Sequence, residues 1–198
     1  MAKFTLKTLT LAMALFVLAG CGKSKTSANG GPTFTDERDG KVYATTKIGK
    51  QVWMAENLNY AMDGSWCYDD NPANCEKYGR LYTWGAAMDV CPWGWHLPTS
   101  EEWDELENAV GKREKAGKEL KSGKWNGTDA LGFNALPAGN RYSGDGAFGN
   151  KGSFAGFWTA TENYKGYAYR RYLRSEAARL YSSTDYKEFA FSVRCVKD

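Results

Sequence analysis

Four cysteines constrain the fold of this chain more than any other feature of its sequence. They are Cys67, Cys75, Cys91 and Cys195. An even number of cysteines in an exported chain indicates two disulfides, although four cysteines allow three pairings. Cys67 and Cys75 flank the short polar segment 68–74, whose Asn-Pro turn signal favours a bond between them. The pair that remains is Cys91 with Cys195, which encloses about a hundred residues.

Export itself is predicted by the N-terminus. Two lysines precede an apolar run over residues 9–19, which is shorter than the ~20 residues of a membrane span. Residues 18–20 then lead directly into Cys21, an arrangement that resembles a bacterial lipobox, where the cysteine is lipidated and becomes the mature N-terminus. The alternative is a plain signal peptide with an incidental cysteine. Because Gly22 rather than an aspartate follows, we expect delivery to the outer membrane, facing either the cell surface or the periplasm.

Charge and length bound what the exported chain can be. Removing the signal over residues 1–20 leaves 24 basic against 23 acidic side chains, which argues against a nucleic-acid partner. The 178 residues that remain favour a single domain with a real core. Residues 21–33 are polar and lack apolar periodicity, which is typical of a tether. The sequence therefore predicts a lipidated tether at 21–33 and one domain at 34–198.

Strand signals stand at both ends of this domain. Residues 42–48 and 51–54 flank a Gly-Lys turn with glycine first, which predicts a type II′ hairpin. Alternation of apolar and polar residues near the C-terminus predicts a strand with Cys195 on its apolar face. The three strands predicted there are 167–173, 178–182 and 188–196.

Two short helices are predicted between these strands. Apolar residues at helical spacing over 83–90 predict the first helix, which Pro92 ends. Thr99 and Glu102 form a capping box for the second, which ends at Gly111. Two short helices with small antiparallel sheets predict an α+β fold.

The segment 123–164 has almost no regular period and is longer than a passive connection. Aromatic rings are scattered among glycine, asparagine and aspartate there and at its edge. Rings beside planar hydrogen-bonding groups are typical of surfaces that hold sugars or proteins. The alternative interpretation is that these rings only pack a loop region. The candidate binding residues are Trp125, Tyr142, Tyr164, Tyr167, Tyr169 and Arg170.

Several motifs carry a resemblance to known families. Residues 84–103 read WGAAMDVCPWGWHLPTSEEW, which resembles the start of a C-type-lectin-like domain. The end of this stretch is similar to the formylglycine-generating, or sulfatase-modifying, enzymes, which share that fold. With WMAENLN, YGRLYTW, GFWTATE and FSVRCV elsewhere, residues 34–198 look like the Fibrobacter succinogenes major paralogous domain family, whose members are exported proteins without an established activity. In C-type lectins a first-helix cysteine bonds to one in the last strand, and Cys91 and Cys195 match those places.

The sequence departs from both named activities. Sulfatase-modifying enzymes use a late pair of cysteines, whereas the only late cysteine here is Cys195. Calcium-dependent lectins carry Glu-Pro-Asn or Gln-Pro-Asp motifs that this chain lacks, so the resemblance implies no calcium. His96 is the only histidine, and without a CxxC pair, a serine elbow or a free thiol it completes no metal or nucleophilic site of a usual kind. We therefore expect no cofactor and no catalytic residue.

These observations predict a lipid-anchored module of the cell envelope that binds or adheres without catalysis. Polysaccharide is the leading ligand class, because rings beside amides and arginine suit sugars. An envelope protein is the second partner class. An enzyme of unknown type on a sulfatase-modifying-enzyme-like fold is the remaining alternative.

Overall fold

A computed structural model describes Met1 and residues 31–198. The predicted signal peptide, the predicted lipidation site Cys21 and most of the predicted tether lie outside the described residues. Within those residues the chain forms four short α-helices and several small antiparallel sheets, which confirms the predicted α+β class. No helix in the described part has the length and apolar character needed to cross a membrane.

The helices and strands are short throughout. The helices are α1 (Pro72–Tyr78), α2 (Trp84–Val90), α3 (Ser100–Ala109) and α4 (Arg113–Leu120). The strands are β1 (Thr33–Thr35), β2 (Val42–Ile48), β3 (Gln51–Met54), β4 (Ser65–Trp66), β5 (Leu81–Tyr82), β6 (Trp95–His96), β7 (Asn140–Arg141), β8 (Phe148–Gly149), β9 (Phe154–Tyr164), β10 (Tyr167–Arg174), β11 (Tyr181–Tyr186) and β12 (Val196–Lys197).

The strands form two main sheets. One has the order β1-β2-β3-β12-β6, and the other has the order β11-β10-β9. The predicted hairpin forms between β2 and β3, and Gly49 takes a φ of 61° at the first turn position, as a type II′ turn requires. The pairs β4-β5 and β7-β8 complete the antiparallel set. The long β9-β10 hairpin, with register shifts near Ala168, carries the surface described below.

Local capping explains three of the helices. Thr99 and Glu102 form the predicted capping box of α3. Thr83 caps α2 by accepting a hydrogen bond from the Ala86 amide. Asn71 caps α1, which has a proline in its first turn, so the predicted Asn-Pro turn is the start of a helix. The prediction of only two helices was wrong because α1 and α4 were missed.

The core is built around buried aromatic rings. Trp53, Trp103, Phe133 and Phe157 are each fully buried and lie in one cluster. Their ring centroids are 4.9–6.1 Å apart, mostly in edge-to-face arrangements. A second cluster contains Trp158, Phe191 and the buried Cys195.

Both predicted disulfides are present. Cys91 bonds to Cys195 and links the residue after α2 to the end of the chain, with 5.9 Å between the Cα atoms. Cys67 bonds to Cys75 across the start of α1, with 4.9 Å between the Cα atoms. The predicted strand 188–196 is only partly regular, because β12 covers its end and isolated bridges cover Ala190, Phe191 and Ser192. Residues 190–196 are all buried, so the predicted alternation of burial is wrong there.

A buried cation lies beside these clusters. Arg194 has 0% exposure, and it donates hydrogen bonds to the carbonyl oxygens of Met54, Phe133 and Asn134 and to Oδ1 of Asn57. Burial lowers the pKa of Arg194 to about 9, which still leaves it charged at neutral pH. It therefore joins β3 to the loop at 133–134 through carbonyl dipoles.

Candidate binding site

An open pocket lies between the β7-β8 hairpin and the three-stranded sheet. Its volume is about 460 Å³. Its lining combines aromatic rings with amides, a hydroxyl and charged groups of both signs. We name it the aromatic pocket, and it is lined by Asn140, Tyr142, Asn150, Ser153, Phe154, Arg170, Arg174, Glu176, Asp185, Phe189 and Phe191.

Three phenylalanines and one glycine build the apolar side of the pocket. The Phe191 ring lies 6.0 Å from Phe189 and 6.2 Å from Phe154 between centroids. Gly156 on β9 makes this packing possible, because a Cβ there would lie 2.6 Å from Phe191 Cδ1 and 2.8 Å from Phe154 Cε1. The apolar side therefore depends on a glycine within the strand.

Arg170 stands on this apolar side and is held in a fixed position. Its Nε donates to the Asp185 carboxylate on the neighbouring strand β11. Its guanidinium carbon lies 4.5 Å from the centroid of Tyr172 and 5.0 Å from that of Phe191, which is cation–π geometry. Its Nη1 is buried without a hydrogen-bond partner. The Arg170 guanidinium, a planar group with several N–H donors, therefore lies among the rings, and Asp185 balances its charge.

Amide groups also line the pocket, beside Tyr142. Nδ2 of Asn150 donates to Oδ1 of Asn140 at 2.7 Å and to the hydroxyl of Tyr142 at 3.0 Å. The Tyr142 ring meets Phe189 edge to face, with 5.6 Å between the centroids. Asn140 is buried, whereas Tyr142 is 38% exposed. This part of the pocket therefore offers an exposed ring whose orientation is set by an amide.

The end of the pocket near Arg174 and Glu176 is positioned from behind by a buried lysine. Nζ of Lys121, which follows α4, donates to the carbonyl oxygens of Arg174, Ser175 and Ala177 at 2.9–3.1 Å. Burial lowers the pKa of Lys121. These three bonds fix the backbone from which Arg174 and Glu176 project.

A row of tyrosines continues from the pocket along the end of the three-stranded sheet. Tyr167 lies 4.5 Å from Tyr164 and 4.3 Å from Tyr186 between ring centroids. The Tyr186 ring in turn stacks on Phe189 of the pocket, at 6.3 Å and 17°. Tyr164 and Tyr186 are 55% and 50% exposed. We name Tyr164, Tyr167 and Tyr186 the tyrosine ridge.

Comparison with known proteins assigns the chain to a family. The model of the Fibrobacter succinogenes major domain matches residues 46–197, which is more than three quarters of the chain. The protein belongs to this family. No curated protein and no solved structure matches the chain.

The match to the Fibrobacter succinogenes major domain spans the features that shape the site. It encloses both disulfides, the aromatic pocket and the tyrosine ridge. It begins within β2, so β1 lies before it. The site is therefore part of the family domain.

Four of the six residues predicted from the sequence lie on this surface. Tyr142 and Arg170 line the aromatic pocket, and Tyr164 and Tyr167 belong to the tyrosine ridge. Tyr169 is half-buried and lies outside both. The prediction for Trp125 was wrong, because the 3-10 turn at Gly123–Trp125 folds back after α4 and leaves the side chain only 5% exposed in the core.

Several residues of the site were missed by the sequence interpretation. Phe189 and Phe191 were assigned to the apolar face of a strand, and Phe189 is half-buried at the pocket instead. Asp185 and Tyr186 carry no local signal, because β11 meets β10 only in the folded chain. The cross-strand position of Asp185 beside Arg170 is the feature that the sequence could not supply.

Other candidate groups lie away from the pocket. A larger cavity of about 820 Å³ lies beside β2, and its lining contains no aromatic ring. His96 hydrogen-bonds to Asp198 at 2.6 Å and to Glu102 at 2.7 Å, and so it ties β6 to α3 and the last residue. In the part of the chain that the structure describes, no cluster of three or more His, Cys, Asp or Glu side chains could hold a metal ion.

Proposed function

We propose that this protein is an exported, lipid-anchored module whose aromatic pocket binds polysaccharide without catalysis. The observation that carries the proposal is the lining itself, in which four rings stand beside two asparagines and a charge-balanced Arg170–Asp185 pair. Sugar rings have apolar C–H faces and edges crowded with hydroxyls. Aromatic rings and planar amides suit those two kinds of surface.

The electrostatics of the pocket supports a binding role over a hydrolytic one. Glycosidases need a pair of carboxyl groups, one of them with a raised pKa. The carboxylates of this pocket are Asp185 and Glu176. Asp185 is held by Arg170. The pKa of Glu176 is lowered by a hydrogen bond from the backbone amide of Glu176 itself and, to a smaller extent, by one from the Ser175 hydroxyl. Neither arrangement suits a general acid.

The anchor is proposed from the sequence alone. An apolar run, a lipobox-like segment and Cys21 precede a polar tether, which would hold the domain at a membrane surface. Globomycin should block processing of the wild type, and detergent partitioning should be lost in Cys21→Ser. If processing and partitioning are the same in both proteins, the chain is not lipidated.

We also infer a C-type-lectin-like fold. Its support is the Cys91–Cys195 bond, which joins the end of α2 to the final residues as the corresponding bond does in C-type lectins. An experimental structure that can be superposed on such domains over both main sheets would establish it. Superposition limited to α3 and its neighbours would reject it.

The binding role is tested with glycan arrays and pull-downs on insoluble polysaccharides, using residues 22–198 secreted so that both disulfides form. We expect retention on a plant or microbial polysaccharide without calcium. Tyr142→Ala should weaken retention severalfold, whereas Trp93→Ala should not, because Trp93 is 98% exposed but lies outside the pocket. Retention that survives Tyr142→Ala would place the site elsewhere. Turnover of a glycan in the same assay would favour an enzyme.

The second candidate is an envelope protein, and Trp93 favours it. This ring projects from the turn after Cys91, where the Trp95 amide donates to the Pro92 carbonyl oxygen and Gly94 has a φ of 79°. Tryptophan is enriched among the hot-spot residues of protein interfaces, and this one is exposed before any partner binds. Capture of one specific envelope protein that Trp93→Ala abolishes, with no glycan bound, would replace the polysaccharide proposal.

A further inference from the structure

The exposed tyrosines of the described residues are concentrated on one surface. Tyr142, Tyr164 and Tyr186 are the three that stand out by their exposure, at 38%, 55% and 50%. Tyr142 lines the aromatic pocket, and the other two belong to the tyrosine ridge. Phe189 contacts both Tyr142 and Tyr186 and so joins the two parts. The pocket is therefore one end of a longer aromatic surface.

The ridge carries polar groups as well as rings. Interaction with the Tyr186 hydroxyl, and a smaller one with Tyr164, raises the pKa of Tyr167. The ring contacts, with 4.3–4.5 Å between centroids, bring the three phenols into one row of donors and acceptors. Neighbouring rings are separated by steps of 4.3–6.3 Å from Tyr164 to Phe189, comparable with the length of one sugar unit.

Opposite charges are paired at two places on this surface. In the pocket Arg170 is paired with Asp185, and Arg174 ends β10 two residues before Glu176. Beside the ridge Lys187 is paired with Glu162. Where arginine and lysine are already paired with carboxylates, an anionic ligand gains little, whereas hydroxyls and C–H groups suit the phenols, amides and rings of this surface.

We propose that one extended polysaccharide chain occupies the aromatic pocket and the tyrosine ridge together, so that the protein recognises an internal stretch of an uncharged linear polymer. This rests on the proposed function and deepens it. The pocket alone would suffice for a terminal sugar or a disaccharide. The ridge adds contacts that only a longer chain reaches. Because of these contacts, longer oligosaccharides should bind more tightly than short ones.

The test measures affinity by calorimetry for cello- and xylo-oligosaccharides, from disaccharide to octasaccharide, with residues 22–198. Affinity should increase with length and then level off. Tyr164→Ala and Tyr186→Ala should weaken the octasaccharide about threefold to tenfold and leave the disaccharide unchanged. Tyr142→Ala should weaken every length, and Trp93→Ala none. Thermal unfolding of each variant checks that the domain is folded.

The outcomes separate this inference from the proposed function. If short and long oligosaccharides bind equally and Tyr164→Ala has no effect, the site is confined to the pocket and the inference fails while the function stands. If oligogalacturonates bind more tightly than the uncharged series, the inferred ligand class is wrong. If no glycan in the array or the series binds, the proposed function fails and the inference fails with it.

Discussion

The molecule contains two aromatic assemblies with opposite exposure. In the core, Trp53, Trp103, Phe133 and Phe157 are fully buried and meet mainly edge to face. On the surface, the tyrosine ridge and Tyr142 form a similar network of ring contacts, but Tyr142, Tyr164 and Tyr186 are 38–55% exposed. Ring contact alone therefore does not indicate a core.

The difference lies in the hydroxyl group. Tyrosine can bury one edge of its ring and keep its oxygen at the surface, where it bonds to an amide, a second phenol or a ligand. Substitutions in the core assembly should therefore change stability, and substitutions in the surface assembly should change binding. The four predictions below test that division.

The largest effect is expected from the two disulfides, which lie in different regions. Chain entropy predicts that the Cys91–Cys195 bond, with a separation of 104 residues, contributes about 4.7 kcal/mol to the free energy of unfolding. The Cys67–Cys75 bond, with a separation of 8, should contribute roughly 2.5 kcal/mol. Denaturant unfolding of the two Cys→Ala double variants measures both. Equal losses would contradict the assumption that loop entropy dominates.

The second prediction concerns the core rings. Trp103→Ala should lower the free energy of unfolding by about 3–5 kcal/mol, because the side chain is fully buried and leaves a cavity. Trp93→Ala is the matched control, and its loss should stay within about 0.5 kcal/mol because the ring is 98% exposed. Similar losses in the two variants would show that burial does not set the contribution of a ring here.

The third prediction addresses the boundary between the assemblies. Gly156→Ala would bring a methyl group 2.6 Å from Phe191 Cδ1, so the pocket rings must shift. We expect a loss of about 1–3 kcal/mol in stability together with weaker retention on polysaccharide. Denaturant unfolding followed by circular dichroism of the aromatic bands measures the loss of stability, and a pull-down measures retention on polysaccharide. If the variant is destabilised but is retained on polysaccharide like the wild type, binding does not depend on the packing around Gly156.

The smallest effect is expected at an ionic contact. Burial alone would lower the pKa of His96, but hydrogen bonds to Asp198 and Glu102 outweigh it and the pKa is raised above 6.5. The contribution of protonated His96 to the free energy of unfolding is therefore complete below pH 6.5, and it is lost as the pH rises through the raised pKa of His96. Because the side chain is 39% exposed, His96→Gln should cost less than about 1 kcal/mol at acidic pH and less still at alkaline pH. A cost that does not change with pH would exclude this ionic origin.

Features set by neighbouring residues could be predicted from the sequence. The β2-β3 hairpin follows from its Gly-Lys turn, and α3 follows from the Thr99 capping box. Helix α4 was missed because its first turn has no side-chain cap: Lys112 stands at the cap position with a φ of 72°. Its few buried residues give a weak apolar pattern.

The site was predictable only in part, for a physical reason. Trp125 and Tyr142 have similar surroundings in the sequence, yet one is buried and the other is exposed. What separates them is long-range packing: Trp125 belongs to the core cluster that contains Trp53 and Trp103, whereas Tyr142 contacts Phe189 at the pocket. Spacing along the chain holds no information on such contacts.

The Cys91–Cys195 bond also decides how the domain responds to mechanical force. A pull on the N-terminal end reaches β1 first, whose three residues are paired only with β2 in the sheet. The covalent link closes a loop of 104 residues, so roughly 350 Å of chain inside it cannot be drawn out by that pull. The aromatic pocket lies within this loop. A pull on the N-terminal end can therefore peel β1 from β2 while the segment that contains the aromatic pocket stays covalently closed.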